Sequence, residues 1–206
     1  SAELTIDNEN GLEVLRVMRD MTAFMDPDYL TYDATEIQKE YEAGNVAIMN
    51  EWGSLGGAIL DDEGAVDGVV ENTVLTAAPT IGGGSIPAAA LWWDGFTIAK
   101  NISDEDAEAS FRAMVHGISP EMMAANKDAA TWLIAGYEPG PAAVGVIANA
   151  NGGARAYPMQ PYMGLLHTAL STELAEFVAG SEDAEQALAD VKAAYDTAAR
   201  GAGFLQ

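Results

Sequence analysis

Two short stretches of this chain combine aromatic rings with carboxylates. Residues 92–94 read Trp-Trp-Asp, and residues 50–52 read Asn-Glu-Trp. An aromatic ring can cover the C–H face of a pyranose, and a carboxylate accepts hydrogen bonds from sugar hydroxyl groups. Glu51 and Asp94 could also hydrolyse a glycoside if they stood about 5–10 Å apart across the bond. The residue types alone leave sugar binding, glycoside hydrolysis and ordinary structural roles open.

Other kinds of chemistry find less support in the sequence. The chain has no cysteine, which excludes disulfides and thiolate metal sites. His116 and His167 fall in predicted helices without metal-ligand spacing or a serine partner. The acidic residues 61–63 with Asp67 lack the calcium-loop spacing and indicate a solvated loop. Residues 82–85, Gly-Gly-Gly-Ser, lack the lysine of a phosphate loop. The sequence therefore predicts no metal and no cofactor.

The charge balance limits the classes of partner. The 206 residues carry 32 acidic and 9 basic side chains, a formal net charge of −23. Nucleic acids and anionic lipids both require basic surfaces, so neither is expected as a partner. No apolar run approaches the ~20 residues of a membrane span. The chain opens on Ser-Ala-Glu-Leu without methionine or a signal peptide, and we expect a processed chain or a fragment.

Helices and strands are predicted to alternate, which favours an α/β fold with a substantial core. Periodicity and capping signals predict helices over 9–25, from Thr35 to Gly44, over 104–117, from Ser119-Pro120, over 163–179, and from Ser181 to about 201. Apolar runs predict strands over 46–49, 73–78 and 96–99. The glycine- and proline-rich residues 136–153 are expected to be irregular.

Several motifs together resemble a known family. The stretch YEAGNVAIMNEW (41–52) resembles the aromatic-x-x-Gly-Lys-x-Ala-Met…Trp stretch of extracellular solute-binding proteins of sugar ABC transporters, the maltose-binding-protein-like family 1. GFTIAKNISDEDAEASFRAMV (95–115), YPMQPYMGLLHTAL (157–170) and GSEDAEQALADV (180–191) are similar to its later strand and helices, and Ala77-Ala78-Pro79 to its strand ending in proline. The motifs cover almost the whole chain but match only the rear half of the family.

The resemblance implies a periplasmic-binding-protein-like type II fold, with two α/β lobes and crossing segments, incomplete because the front half is absent. It implies that residues 1–78 belong to the C-terminal lobe, 79–150 to the N-terminal lobe, and 151–206 to the C-terminal lobe again. The missing strands would leave open sheet edges, so we expect a second chain or the front half of the same protein to cover them. Asn45 and the Trp-Trp-Asp-Gly segment 92–95 depart from the family pattern, so the ligand's identity does not carry over.

The function that the resemblance implies is a periplasmic, non-enzymatic subunit of an ABC importer. It would bind a sugar or polyol between its lobes and deliver it to the membrane permease. The predicted ligand-binding residues are Trp52, Trp93, Asp94, Trp92, Glu51, Asn50, Tyr162 and Arg155. If residues 92–94 are extended, Trp92 and Trp93 point to opposite faces, so at most one of them faces the ligand squarely. Trp93, with Asp94, is the one expected on the ligand side. Arg155 could pair with a ligand acid or with a structural carboxylate.

Two alternatives remain at this point. One is a glycoside-active enzyme that uses Glu51 and Asp94. The other is a protein-interaction domain without a small ligand.

Overall fold

A computed structural model describes residues 1–61 and 63–206 of the chain. These residues form two compact units: unit 1 comprises residues 1–32 and 158–206, and unit 2 comprises residues 33–157. The described residues contain the helices α1 (Glu9–Thr22), α2 (Ala34–Glu42), α3 (Gly56–Ile59), α4 (Asp104–Gly117), α5 (Pro120–Ala125), α6 (Val144–Asn151), α7 (Met163–Ala179) and α8 (Ala184–Gly201), and the strands β1 (Ala90–Leu91) and β2 (Arg155–Ala156). The predicted lobe boundaries at residues 78 and 150 stay a prediction.

Unit 1 is a helical unit in which α8 packs against α7 and α1. Apolar residues recur along α8 at helical spacing, so one face of the helix is continuous and enters the core. Val191 and Tyr195 are its largest fully buried side chains. Leu15 of α1 and Phe177 of α7 meet the same face of α8 near its beginning. Burying each such side chain contributes about 1.5–3 kcal/mol, which makes this packing the main source of stability of unit 1.

Local signals set the helix ends of unit 1. The Asn8 side chain accepts hydrogen bonds from the backbone N–H groups of Asn10 and Gly11, which caps α1. Gly180 ends α7 with a φ of +91°, a left-handed conformation that suits glycine. The predicted cap of α8 was wrong by two residues. Asp183 caps this helix, whereas the Ser181 hydroxyl donates to the Glu176 carbonyl oxygen and closes α7 instead.

Unit 2 contains the largest departures from the sequence-based prediction. The expected strands over 46–49, 73–78 and 96–99 form no ladder among the described residues, whose regular pairing is limited to β1 with β2 and an isolated bridge between Thr80 and Pro87. A strand needs the backbone of a neighbour to become stable, and these segments find none within residues 1–61 and 63–206. The described residues are therefore helical with two short parallel strands, an α/β composition only in the broad sense.

The predicted irregular segment 136–153 was also partly wrong, because residues 144–151 form α6. Its glycines and asparagines have low helix propensity, but tertiary contacts override this preference. A side chain at Gly145 would come within 2.8 Å of the Thr76 carbonyl oxygen, so only glycine allows this close approach. The Asn149 side chain accepts a hydrogen bond from the backbone N–H of Ala78 at 2.8 Å. Helix α6 is thus held by the chain that precedes β1.

The chain exposes much more surface than a compact protein of its mass. Its accessible area is 14047 Å², whereas a folded monomer of 21.6 kDa exposes about 9,200 Å². Treating the units as two separate bodies raises the expected area only to about 11,000 Å². The unpaired segments account for part of the excess: Ile48 is 90% exposed, and Val74 and Phe96 are largely exposed. Unit 2 therefore leaves apolar side chains in water that a complete core would bury.

Candidate functional site

The ladder of β1 and β2 brings together residues that are far apart in sequence. The two strands run parallel, with Ala90 opposite Arg155 and Leu91 opposite Ala156. The pairing continues one residue further, since the Tyr157 backbone N–H donates to the Leu91 carbonyl oxygen at 2.8 Å. Trp92 and Tyr157 consequently stand side by side at the end of the ladder.

The side chains of Trp92, Tyr157 and Asp94 form a connected group, which we call the aromatic platform. The rings of Trp92 and Tyr157 lie with centroids 4.6 Å apart and planes tilted by 55°. The Trp92 indole Nε1–H donates to Asp94 Oδ1 at 3.0 Å. A ring pair of this kind contributes about 0.5–1.5 kcal/mol, and the hydrogen bond fixes the indole orientation. Trp92 remains 48% exposed, so part of its ring is available to a ligand.

Arg155 lies on the same side of the ladder as Tyr157. Side chains two residues apart on a strand share a face and stand about 7 Å apart. The residue opposite Arg155 is Ala90, which has a small side chain. Arg155 is exposed, and no carboxylate of the described residues lies within ion-pair distance of it. The structure thus supplies no structural carboxylate for this arginine in the described part of the chain.

Trp93 lies outside the aromatic platform. It is 55% exposed, and its ring approaches the backbone of Gly95, where an added Cβ would stand 3.8 Å away. The Asp94 side chain bonds to Trp92 rather than to Trp93. The expectation that Trp93 faces a ligand stays a prediction, and the geometry associates Asp94 with the other tryptophan.

The second predicted cluster lies at the start of a short 3-10 turn. Trp52 is exposed and directly precedes this turn, Gly53–Leu55. Glu51 Oε1 accepts a hydrogen bond from the Trp52 backbone N–H at 2.7 Å, and Asn50 is exposed beside it. A side chain at Gly53 would collide with Val146 of α6, so the turn packs tightly on that helix. Because α6 also packs against β1, the same helix supports this cluster and the aromatic platform.

Tyr162 belongs to unit 1, just before α7. Its hydroxyl group donates to the Ser1 carbonyl oxygen at 3.4 Å, and its ring meets Phe204 edge-on with centroids 5.9 Å apart. These contacts give Tyr162 a packing role within unit 1. Its contact with a ligand stays a prediction.

Tyr157 was missed as a site residue by the sequence-based reasoning. It was noted only as part of the motif that leads into the late helix. The available signal was the alternation of Arg155 and Tyr157, two residues apart on what proves to be a strand. That signal becomes informative only when the register places Tyr157 beside Trp92, 65 positions earlier in the chain.

Two cavities that are open to the surface, of about 320 and 480 Å³, lie in unit 1. They are lined by parts of α8 together with residues near the chain ends, and they include none of the predicted sugar-binding residues. Lys192 and Asp196 border both cavities and form an ion pair with each other at 2.8 Å. Neither cavity therefore offers a better candidate than the aromatic platform.

The two histidines and the acidic loop were also considered as candidates for chemistry. His116 lies on α4 and His167 on α7, as predicted for helical residues. Asp62 of the acidic loop lies outside the described residues. Among the residues that are described, no three potential metal ligands come together. No helix in the described part of the chain has both the length and the apolar character needed to span a bilayer.

Comparison of the sequence with protein-family models gave no match, and comparison with curated proteins gave none.

Proposed function

We propose that this chain is the ligand-binding subunit of a bacterial ABC importer that captures a sugar or polyol. In this proposal the protein works in the periplasm, has a type II two-lobe fold with crossing segments, and delivers its ligand to the membrane permease. The ordered motifs of the sequence support the family. Unit 1 is formed from both ends of the chain, a discontinuous arrangement that crossing segments also require.

The aromatic platform is the observation that carries the proposed ligand class. A pyranose presents C–H groups on its faces and hydroxyl groups around its edge. The exposed Trp92 ring suits the face, and the Asp94 carboxylate beside it suits the edge. The Trp92 indole N–H is already bonded to Asp94, so the ring is oriented before a ligand arrives. Preorganisation of this kind reduces the entropy cost of binding.

The proposed mechanism is closure on the ligand. A sugar that binds the closed form more tightly than the open form shifts the population toward the closed form. The permease would recognise that form and receive the ligand from it.

The exposed apolar surface of unit 2 supports a polypeptide partner, the front half of the resembled fold. That segment would supply strands to residues 46–49, 73–78 and 96–99, whose backbones lack ladder partners in the described residues. Light scattering and binding of a dye for apolar surfaces test this partner. A chain that requires it binds the dye strongly when isolated. A monomer of 21.6 kDa that binds no dye contradicts it.

Calorimetry with a panel of unmodified sugars and polyols tests the binding function. We expect one-to-one binding without turnover of aryl glycosides. Trp92→Ala should weaken binding about tenfold or more, because one aromatic contact contributes on the order of 1.4 kcal/mol. Trp93→Ala is the matched control and should change affinity less than about threefold. Turnover that disappears in Asp94→Asn would instead establish the glycoside-active enzyme, and absence of binding across the panel would refute the proposal.

A further inference from the structure

Arg155 is the feature of the site that a neutral sugar leaves unused. It stands on the same face as the aromatic platform, about 7 Å along the strand from Tyr157, within the width of one pyranose. The guanidinium carries a permanent charge and presents paired N–H groups that match a carboxylate. The chain has 32 acidic side chains, yet no described carboxylate pairs with this arginine.

The other exposed arginine of unit 2 provides a comparison. Arg112 of α4 bonds to Glu108 at 2.8 Å, one turn earlier on its helix. In so acidic a chain an arginine on a helix surface readily acquires such a partner. Arg155 stands instead on a strand, opposite Ala90 and two residues before Tyr157 of the aromatic ring pair.

We propose that the ligand is an acidic sugar, a hexuronate, whose carboxylate pairs with Arg155 while its ring lies on the aromatic platform. This inference rests on the proposed binding function and specifies the ligand of the same site.

The two ends of the site have opposite charges, which fixes the orientation of the ligand. Arg155 lies on β2 two residues before Tyr157, and Asp94 follows Trp92 beyond β1, so the arginine and the carboxylate flank the ring pair. A hexuronate carries its carboxylate at one end and hydroxyl groups at the other. Its carboxylate therefore points to Arg155, and its hydroxyl groups point to Asp94.

A carboxylate suits the chain better than a phosphate. The formal net charge of −23 opposes the approach of any anion, and it opposes a dianion more strongly than a monoanion. At about 0.15 M salt, charges farther than about 8 Å are largely screened, while the contact with Arg155 persists. We expect a uronate to bind more tightly than the corresponding sugar phosphate.

Calorimetry at about 0.15 M salt tests the inference with D-glucuronate, its methyl ester, D-glucose and glucose 6-phosphate. The ester keeps the size of the acid and removes the charge. We expect glucuronate to bind at least tenfold more tightly than the ester and glucose, because charge-assisted hydrogen bonds are roughly twice as strong as neutral ones. Arg155→Gln should abolish this preference. Arg112→Gln, the matched loss of one charge on α4, should retain it.

The outcomes separate this inference from the proposed function. Neutral sugars that bind as tightly as glucuronate, with loss of binding in Trp92→Ala, would overturn the acidic ligand and leave the binding function intact. A preference for glucuronate that survives Arg155→Gln would overturn the role of Arg155. Binding of glucose 6-phosphate that is tighter than binding of glucuronate would overturn the carboxylate ligand and indicate a sugar phosphate instead. Absence of binding for all four probes and for the wider panel would refute both proposals.

Discussion

The Tyr195 hydroxyl group offers a measurable test of how unit 1 is held together. Tyr195 is 2% exposed, and its hydroxyl group donates to the Ala2 carbonyl oxygen at 2.6 Å. Tyr195→Phe keeps the ring and its packing and removes only the hydrogen bond. The bond contributes about 0.5–1.5 kcal/mol net, and the half-buried carbonyl oxygen left without a donor adds to the loss. We expect the free energy of unfolding to fall by about 1–2 kcal/mol.

Tyr162→Phe is the matched control, because it also removes a tyrosine hydroxyl group. That hydroxyl group bonds to the carbonyl oxygen of Ser1, the residue that precedes Ala2. That bond is 3.4 Å long and exposed, so its loss should lower the free energy of unfolding by less than about 0.5 kcal/mol.

Urea unfolding followed by far-UV circular dichroism measures both variants. For an m-value of about 2 kcal/mol/M, Tyr195→Phe should lower the midpoint by about 0.5–1 M. All four tryptophans lie in unit 2, so their fluorescence reports that unit separately. Equal effects of the two substitutions, or no shift in Tyr195→Phe, would refute the attribution of stability to the buried hydrogen bond.

Further predictions concern the end of α7 and the behaviour at alkaline pH. Gly180→Ala should lower the free energy of unfolding by about 1–2 kcal/mol, because alanine resists the left-handed conformation. Gly164→Ala, on the exposed face of α7, should raise the free energy of unfolding by about 0.5–1 kcal/mol, because alanine favours a helix more than glycine does. Urea midpoints measure both effects. A hydrogen bond with Asp196 raises the pKa of Lys192, and burial raises the pKa of Tyr195. Because both groups hold their protons more tightly in the folded state, their contributions to the free energy of unfolding should be complete below about pH 10 and be lost as the pH rises above it. Urea midpoints from pH 8 to 11 measure this loss, which should be smaller in Tyr195→Phe.

The helices of this protein could be predicted because their determinants are local. The predicted bounds of α4 and α7 agree with the structure at both ends. The Ser103 hydroxyl oxygen accepts a hydrogen bond from the Asp106 backbone N–H. The signal that starts α4 is therefore contained within four consecutive residues. Helix α6 escaped prediction because close packing at Gly145, rather than its own propensity, stabilises it.

The candidate site could be predicted only in part. Trp92 and Asp94 lie two residues apart, and their chemistry was visible as a cluster in the sequence. The association of Trp92 with Tyr157, and the position of Arg155 on the same face, depend on the register of two strands that are more than 60 residues apart. A register between distant segments is fixed by tertiary contacts, so composition and periodicity could not supply it.

The failed strand predictions and the exposed apolar residues of these segments in unit 2 have one physical origin. The segments 46–49, 73–78 and 96–99 carry the apolar residues of strands, and such residues become buried only when a neighbouring backbone completes the sheet. Without that neighbour the segments stay unpaired in the described part of the chain, and Ile48 remains almost fully exposed. Unit 1 has a core of its own, in which Leu15 of α1 and Phe177 of α7 pack against α8, while Val14, Val17 and Met21 of α1 stay exposed.

The ladder of β1 and β2 therefore differs from the unpaired segments of unit 2. In this ladder two strands of that unit pair with each other, and α6 packs against β1. A binding surface must hold its aromatic rings in fixed positions, which an unpaired segment cannot do. The rings of Trp92 and Tyr157 satisfy this requirement through the ladder and the Asp94 hydrogen bond, whereas Trp93 and Trp52 lie on segments without ladder pairing. This difference in restraint is the physical reason to place the ligand on Trp92.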